Sequence, residues 1–277
     1  MTPLCKRLSW EFDPKDRPQL LVVDEASMVD ERIRADLEQL GSPTLYVGDV
    51  GQLPPIVGSS IFDDLGCDVL LEEIQRQAQD SPIIPLSRAI RAGRPGWLQE
   101  AEALGFRVLE AGSKSARRYD LGSAQPPHGD PDTVFIAGTN RDVDRLNSLV
   151  RLRLNRGPDP LVADELVMVQ NNQHGLYNGQ QGRITEVRGD RWVKLSMETG
   201  VHYAGPVLVK GVDEIPSFSK IPVVRHSYAV TCHKAQGSEF RNVVVYLAGS
   251  RVEDKRWLYT AVTRASHTLT FVQAGRR

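Results

Sequence analysis

Cysteine is scarce: only Cys5, Cys67 and Cys232 occur in 277 residues. They are odd in number, far apart and form no C-x-x-C pair, which excludes a disulfide framework and a cysteine zinc site. A reducing, cytoplasmic setting is therefore expected, with each cysteine read first as a small buried hydrophobe. Long apolar runs are also missing. No stretch approaches the roughly 18 residues of a membrane helix, so no membrane partner is expected. Residues 1–10 carry Lys6 and Arg7 with no apolar segment behind them, which argues against a secretory signal. Nor is charge of one sign in excess: 34 Lys and Arg face 35 Asp and Glu, for a net charge of -1. That balance excludes a polycation and an acidic tail. It still permits nucleic-acid binding, which needs only a local basic track. There is no internal repeat and no low-complexity tract. The 40% hydrophobic and 25% charged content is that of a globular protein. At roughly 150 residues per domain, the length suggests about two domains.

Short runs apolar at consecutive positions recur: Leu20-Leu21-Val22-Val23, Thr44-Leu45-Tyr46-Val47, Thr133-Val134-Phe135-Ile136-Ala137 and Asn242-Val243-Val244-Val245-Tyr246-Leu247. Such runs suit strands buried on both faces of a parallel sheet. Between them lie helical patterns. Residues 30–40 place Ile33, Leu37 and Leu40 on one face, and residues 142–154 do the same for Val143, Leu146, Leu149 and Val150. Alternating strand and helix predicts an α/β fold. From about 164 to 220 the pattern changes to closely spaced strands with Asn178-Gly179 and Gly189-Asp190 at turns, predicting a small inserted β-barrel or meander. Buried-strand patterning resumes near Val223, and 112–132 reads as a loop.

Chemistry concentrates in a few segments. Asp24-Glu25-Ala26-Ser27 follows a strand, where ligand crevices form in parallel sheets. Asp24 suits Mg²⁺ held through water and Glu25 suits polarising a water; the plainer reading is that Asp24 caps the helix starting near Met28. Gly48-Asp49-Val50-Gly51-Gln52-Leu53-Pro54-Pro55 makes a tight, stiffened turn that presents Gln52, both donor and acceptor. Arg76 alone reads as a solvated arginine. Arg264 ends an apolar helical run, at a junction from which it can reach out as a phosphate clamp. Residues 226–240 gather Thr231, Cys232, His233, Lys234, Gln236, Gly237 and Glu239, and Thr231, His233 and Lys234 can all donate to phosphates. Cys232 beside His233 raises a thiol hydrolase, against which stands the opposite facing of adjacent strand residues. Arg141, Arg145, Arg151, Arg153 and Arg156 form a local basic run, read as a solvated helix face ahead of a DNA contact.

These segments, in this order, resemble motifs II to VI of superfamily 1 helicases, most closely the RecD/Dda type. Thr139-Asn140-Arg141 leading to Leu146-Asn147, and Gly175-Leu176-Tyr177-Asn178-Gly179-Gln180-Gln181-Gly182, are similar to the family's intervening segments. The resemblance runs from Leu20 almost to the end. It implies two RecA-like domains with ATP between them, an SH3-like β-barrel inserted in the second, and 5′-to-3′ movement on single-stranded DNA. The division it implies is 1–66 for a truncated first domain, 67–163 and 221–277 for the second, and 164–220 for the insertion. It assigns Asp24 to Mg²⁺, Glu25 as the catalytic carboxylate, Gln52 as the γ-phosphate sensor, and Arg76 and Arg264 as arginine fingers. Gly237 and Glu239 fall near the nucleotide, Glu239 at the ribose, and Thr231 and His233 at the DNA backbone.

One departure stands out. No G-x-x-x-x-G-K-[S/T] occurs in the 277 residues, although this loop cradles the phosphates in the family. The expectation is a helicase or translocase whose P-loop comes from elsewhere, a second polypeptide included. The competing expectation is a non-hydrolysing single-stranded nucleic-acid-binding or regulatory module.

Overall fold

The computed structural model describes residues 18–64, 68–69, 81–110, 133–248 and 254–273, in two compact units, Met1–Glu73 and Ile74–Arg277. The 112–132 segment, Arg76, Cys5 and Cys67 lie outside the described residues. Among the described residues no helix is long and apolar enough to cross a membrane.

In the first unit β1 (Leu21–Val23) pairs in parallel with β2 (Thr44–Tyr46), Val22 opposite Leu45. A 3-10 turn at Ala26–Met28 and helix α1 (Glu31–Glu38) connect them, and α2 (Ile61–Asp64) follows β2. Helix α1 starts where Asp30 accepts from the Ile33 N–H at 2.8 Å, satisfying an amide that a helix start leaves orphaned. The cap is thus Asp30 and not Asp24, whose Oδ1 instead accepts from the neighbouring Glu25 N–H at 2.8 Å.

Val23 and Tyr46 pack over a small core of Ala26, Val29 and Ile61. The opposite face is open: Val22 is 56% exposed and Leu45 51%. The expectation of strands buried on both faces is therefore corrected for β1 and β2. An apolar run records strand propensity at every position, but it does not say what lies over each face. Helix α1 likewise buries Leu37, with Leu40 just past its end, but leaves Ile33 exposed.

The second unit holds an all-parallel sheet in the order β11 (Ala229–Thr231), β4 (Thr133–Ala137), β12 (Phe240–Leu247), β13 (Ala265–Gln273), β3 (Arg107–Glu110). Here burial on both faces holds: every residue of β4 is buried, as are Val243 to Leu247 in β12. Helix α5 (Asn140–Arg153) presses Val143, Leu146 and Val150 onto Phe135, Ala137, Val244 and Tyr246. Helices α3 (Ile83–Arg91) and α7 (Lys255–Val262) pack on each other, and Trp97, which opens α4 (Trp97–Ala103), meets Phe271 edge-on at 5.3 Å. This is the α/β architecture expected.

A second sheet has the order β8 (His202–Pro206), β7 (Trp192–Met197), β6 (Gln181–Arg188), β5 (Leu166–Val169), β10 (Val223–His226), β9 (Leu208–Val209). Its pairings are antiparallel except β9 with β10, around a core that includes Val169, Leu176, Ile184, Val193 and Leu195. Because β10 belongs to this sheet, the β-rich layer runs on to His226 and the parallel pattern picks up at Ala229. The residues near Val223 look like either sheet in sequence, since both use buried apolar strands.

Charged side chains fasten this layer to α5. Arg225 reaches Asp144 Oδ1 at 2.6 Å and Asn140 Oδ1 at 2.7 Å, and the fully buried Glu165 accepts from Arg151 at 2.5 Å. Burial pushes the Glu165 carboxyl up, but hydrogen bonds from His226 and Arg151 outweigh it and leave the group below the usual carboxylate range. A carboxyl lowered in the folded state contributes stability above its unfolded pKa and loses it as pH falls through the folded value. Urea denaturation is thus expected to show stability falling with acidification below about pH 4.5, the ordinary glutamate range. Glu165→Ala, which strands Arg151, is expected to cost about 3–5 kcal/mol near neutral pH. A loss under 1 kcal/mol would mean that the joint is not held by this pair.

Candidate functional site

In the first unit the chemistry sits on two loops that follow β1 and β2. After Val23 the backbone turns sharply, and Glu25 lies in the left-handed region at φ 52°, ψ 39°. That conformation costs a non-glycine residue on the order of 1 kcal/mol and must be held by its surroundings. The surroundings are visible. Ala26 N–H donates to Val47 O at 2.9 Å, and a Cβ on Gly48 would come within 2.9 Å of Ala26 N, Ser27 N and Phe62 Cε2. Only glycine lets the second loop lie this close to the first. Asp49 then shapes the turn by accepting from Gly51 N–H at 2.8 Å and Gln52 N–H at 3.0 Å, leaving Gln52 buried.

Glu25 Oε2 is buried and has no hydrogen-bond partner. Such an oxygen costs about 1–3 kcal/mol unless a ligand or water completes it. Asp24 is exposed, and its Oδ1 accepts from the Glu25 N–H. Among the described residues no cluster of three His, Cys, Asp or Glu could hold a metal. One solvent-facing carboxylate suits Mg²⁺, which keeps several waters and takes its other ligands from phosphates.

In the second unit Thr231 ends β11 and caps the short helix α6 (Cys232–Ala235), accepting from Lys234 N–H at 3.4 Å. His233 is half-buried on that helix; beyond it Gly237, at φ 78°, and Glu239 are exposed. Arg264 is gathered to the same segment, donating to Ser238 O at 3.1 Å while Phe240 N–H donates to Arg264 O at 2.8 Å. Its guanidinium also meets Thr260 O and Thr263 Oγ1, and the residue is 0% exposed. It is thus turned inward, not out beyond the sheet: β13 is an interior strand and the last turn of α7 offers its carbonyls. Thr231, His233, Gly237, Glu239 and Arg264 belong to one unit, and Asp24, Glu25 and Gln52 to the other.

Cys232 is buried, with its thiol donating to Trp257 O at 3.6 Å. It stands on a helix beside His233, so strand alternation does not separate the two. Burial of the thiol is what removes it from substrate. In the basic run, Arg151 binds Glu165 and Arg156 donates to Ala163 O at 3.0 Å, while Arg141, Arg145 and Arg153 are exposed.

One cross-link has no signature in the sequence. Lys234 Nζ donates to Asn178 Oδ1, and Asn178 N–H to Asn172 Oδ1 at 2.8 Å, tying α6 to the β-rich layer. Burial, then the charges of Lys210 and Arg225, hold the Lys234 ammonium below the ordinary lysine range. Asn178-Gly179 announced a turn, and Gly179 has φ 94°, but nothing local pairs Asn178 with a residue 56 positions away.

A parallel sheet whose strands end in polar loops defines an α/β class of fold, and comparison with known proteins narrows it. Residues 226–272 match the UvrD-like helicase C-terminal domain and residues 4–110 an AAA domain. The chain is 27% identical to the ATP-dependent RecD2 DNA helicase of Deinococcus radiodurans over 89% of this chain and 35% of that protein. It is 26% identical to the RecBCD enzyme subunit RecD of Mycobacterium tuberculosis over 91% of this chain and 49% of that one. The chain thus spans half or less of the length of these relatives. A Pif1 helicase structure from Bacteroides, in complex with ADP-AlF3 and ssDNA, shares the fold with a TM-score of 0.66 at 20% identity, over 98% of this chain and 75% of that one. Pif1 helicase from Candida albicans follows with a TM-score of 0.58 at 18% identity, over 92% of this chain and 71% of that one. The family matches and the RecD relatives together support a superfamily 1 helicase of the RecD type, and the Pif1 structures share its fold.

If the left-handed backbone at position 25 is imposed by Gly48 and its contacts, glycine should fit there better than alanine. Glu25→Gly is expected to be more stable than Glu25→Ala by about 1 kcal/mol in urea denaturation of the full chain. Equal stability, or an advantage for alanine, would show that the turn relaxes.

Proposed function

We propose that the chain is the portion of an ATP-dependent DNA helicase that carries the hydrolytic carboxylates and the second RecA-like domain, coupling hydrolysis to 5′-to-3′ movement on single-stranded DNA. The observation that carries the reading is Glu25, held in a left-handed backbone with one buried oxygen left without a donor. A carboxylate so placed is ready to accept a hydrogen bond from a water.

In this reading Glu25 orients the water that attacks the γ-phosphorus and takes up its proton, while the bond from that phosphorus to the β,γ-bridging oxygen breaks and ADP leaves. Asp24 holds Mg²⁺ through water, and the ion when bound neutralises phosphate charge. Gln52 senses the γ-phosphate. Arg76 and Arg264 stabilise the charge of the transferring group, a role worth about 10³–10⁵ in rate where measured. For Arg264 this requires exchanging the carbonyls of Ser238 and Thr260 for phosphate oxygens. Gly237 and Glu239 border the nucleotide, and Thr231 and His233 hold the DNA backbone. The β-rich layer takes the part of the SH3-like insertion. We assign the phosphate cradle to residues outside these 277, for which a second polypeptide is one source.

The names of the RecD2 relative and of the Pif1 structure with ADP-AlF3 and ssDNA support ATP and DNA as ligands. The inward guanidinium of Arg264 favours a second reading, a nucleic-acid-binding module without hydrolysis. Turnover separates them. The chain alone is expected to hydrolyse negligible ATP, and fusion to a P-loop-bearing segment is expected to give DNA-stimulated hydrolysis that Glu25→Gln abolishes. Single-strand affinity indifferent to ATP in both forms, with no turnover, would establish the second reading instead.

A further inference from the structure

We propose that the 212–221 loop of the β-rich layer is a base-stacking ledge for single-stranded nucleic acid, with Phe218 as the stacking side chain; this rests on the reading above that the chain binds a single strand. Phe218 is 88% exposed, and Val212, Ile215 and Ile221 on the same loop are exposed as well. Phe218 therefore does nothing for the core. Water-exposed rings on loose loops are common, but this loop is pinned. Asn171 Nδ2 donates to Ile221 O at 3.0 Å and Asn171 Oδ1 accepts from Val223 N–H at 2.8 Å. Gln173 Nε2 donates to Ser219 O at 3.0 Å, and His174 Nε2 lies 3.1 Å from Lys220 O. At the loop's other end Asp213 binds Arg191 at 2.7 Å and accepts from Val209 N–H at 2.6 Å. An aromatic ring displayed on a pre-ordered support gives up little entropy when a flat partner covers it.

The surroundings favour a nucleic-acid base over an apolar protein surface. Lys210 and Lys220, both exposed, stand at the two ends of the loop. Asp213 is neutralised by Arg191, so Glu214 is the loop's remaining carboxylate against two lysines. Cations beside an aromatic are the elements with which proteins grip a single strand, the cations taking phosphates and the ring a base. The ledge is also tied by hydrogen bonds to the proposed DNA-binding helix. The segment that pins it, 171–174, includes Asn172, which accepts from Asn178, which accepts from Lys234 on α6 beside Thr231 and His233. The loop that carries Phe218 and the helix that carries Thr231 and His233 are thus held by one hydrogen-bonded path.

The test is binding of a fluorescein-labelled oligothymidylate to the full chain across a salt series. Phe218→Ala is expected to weaken binding by about 5- to 150-fold, the range for removing one base-stacking aromatic, with unchanged thermal unfolding and an unchanged slope of log affinity against log salt. Lys220→Ala is expected to flatten that slope by about 0.7, as for one lost single-strand phosphate contact. Phe218→Trp is expected to retain affinity, and the new indole's emission to be quenched when the oligonucleotide binds. Wild-type binding that Phe218→Ala leaves intact, or an indole that stays unquenched, overturns the ledge and leaves the helicase reading standing. Failure of the wild-type chain to bind the oligonucleotide at any salt overturns both.

Discussion

The second unit depends on one carboxamide. The chain leaves the β-rich sheet at His226 and enters the parallel sheet at Ala229, and a crossing inside the protein must satisfy its backbone groups without water. Asn147 does this from α5. Its Nδ2 donates to His226 O at 2.8 Å and Ala229 O at 3.3 Å, and its Oδ1 accepts from Ala229 N–H at 2.9 Å. Between these residues Ser227 N–H donates to Leu166 O in β5, and Phe135 N–H in β4 donates to Tyr228 O. The crossing is therefore bonded to both sheets and to the helix between them. Arg225 and Glu165 fix the same helix on either side of it, so the β-rich layer cannot shift on α5 without breaking buried polar bonds, each worth more in its loss than in its making.

The first unit shows the opposite economy, with strain retained where chemistry is expected. Glu25 could escape the left-handed region if the Gly48 loop moved away, but Ala26 N–H is bound to Val47 O and Phe62 closes the other side. The loop that carries Gln52 is therefore the loop that holds Glu25 strained. Two motifs separated by 23 positions along the chain act as one rigid piece, which explains why a glycine, and no residue with a Cβ, opens the second of them.

What the sequence made legible were features with local causes. The consecutive apolar runs of β4 and β12 are strands buried on both faces, and the polar loops after β1 and β2 carry the carboxylates and the glutamine. What stayed hidden depends on what lies opposite. Val22 and Leu45 belong to runs indistinguishable from the buried ones, yet face outward. Asp24 and Asp30 both suit a helix cap; the periodic apolar positions start only after Asp30, and that is the one used. Glu165 and Arg225 are charged types that ordinarily stay at the surface, and their partners lie 14 and 81 positions away, so neither burial had a sequence signature. Arg264 follows the helix that the apolar run before it predicts, but the direction of its side chain depends on Ser238 and Thr260 carbonyls that no spacing reveals.

The same distinction bears on how the charges of a chain of net charge -1 are used. Several arginines of the second unit are spent on the protein itself: Arg151 on Glu165, Arg191 on Asp213, Arg225 on Asp144, Arg264 on carbonyls. A planar fork with several donors suits such fixed, multiply bonded joints. Lysine offers a single flexible point charge, and Lys210 and Lys220 remain exposed at the ends of one loop while Lys234 stands half-buried near Lys210. Counting charges over the whole chain adds these two populations together. Because Arg151, Arg191 and Arg225 cancel against their own carboxylates, those pairs add little net charge, and the charges carried by the 210–221 loop beyond them are Lys210, Lys220 and Glu214.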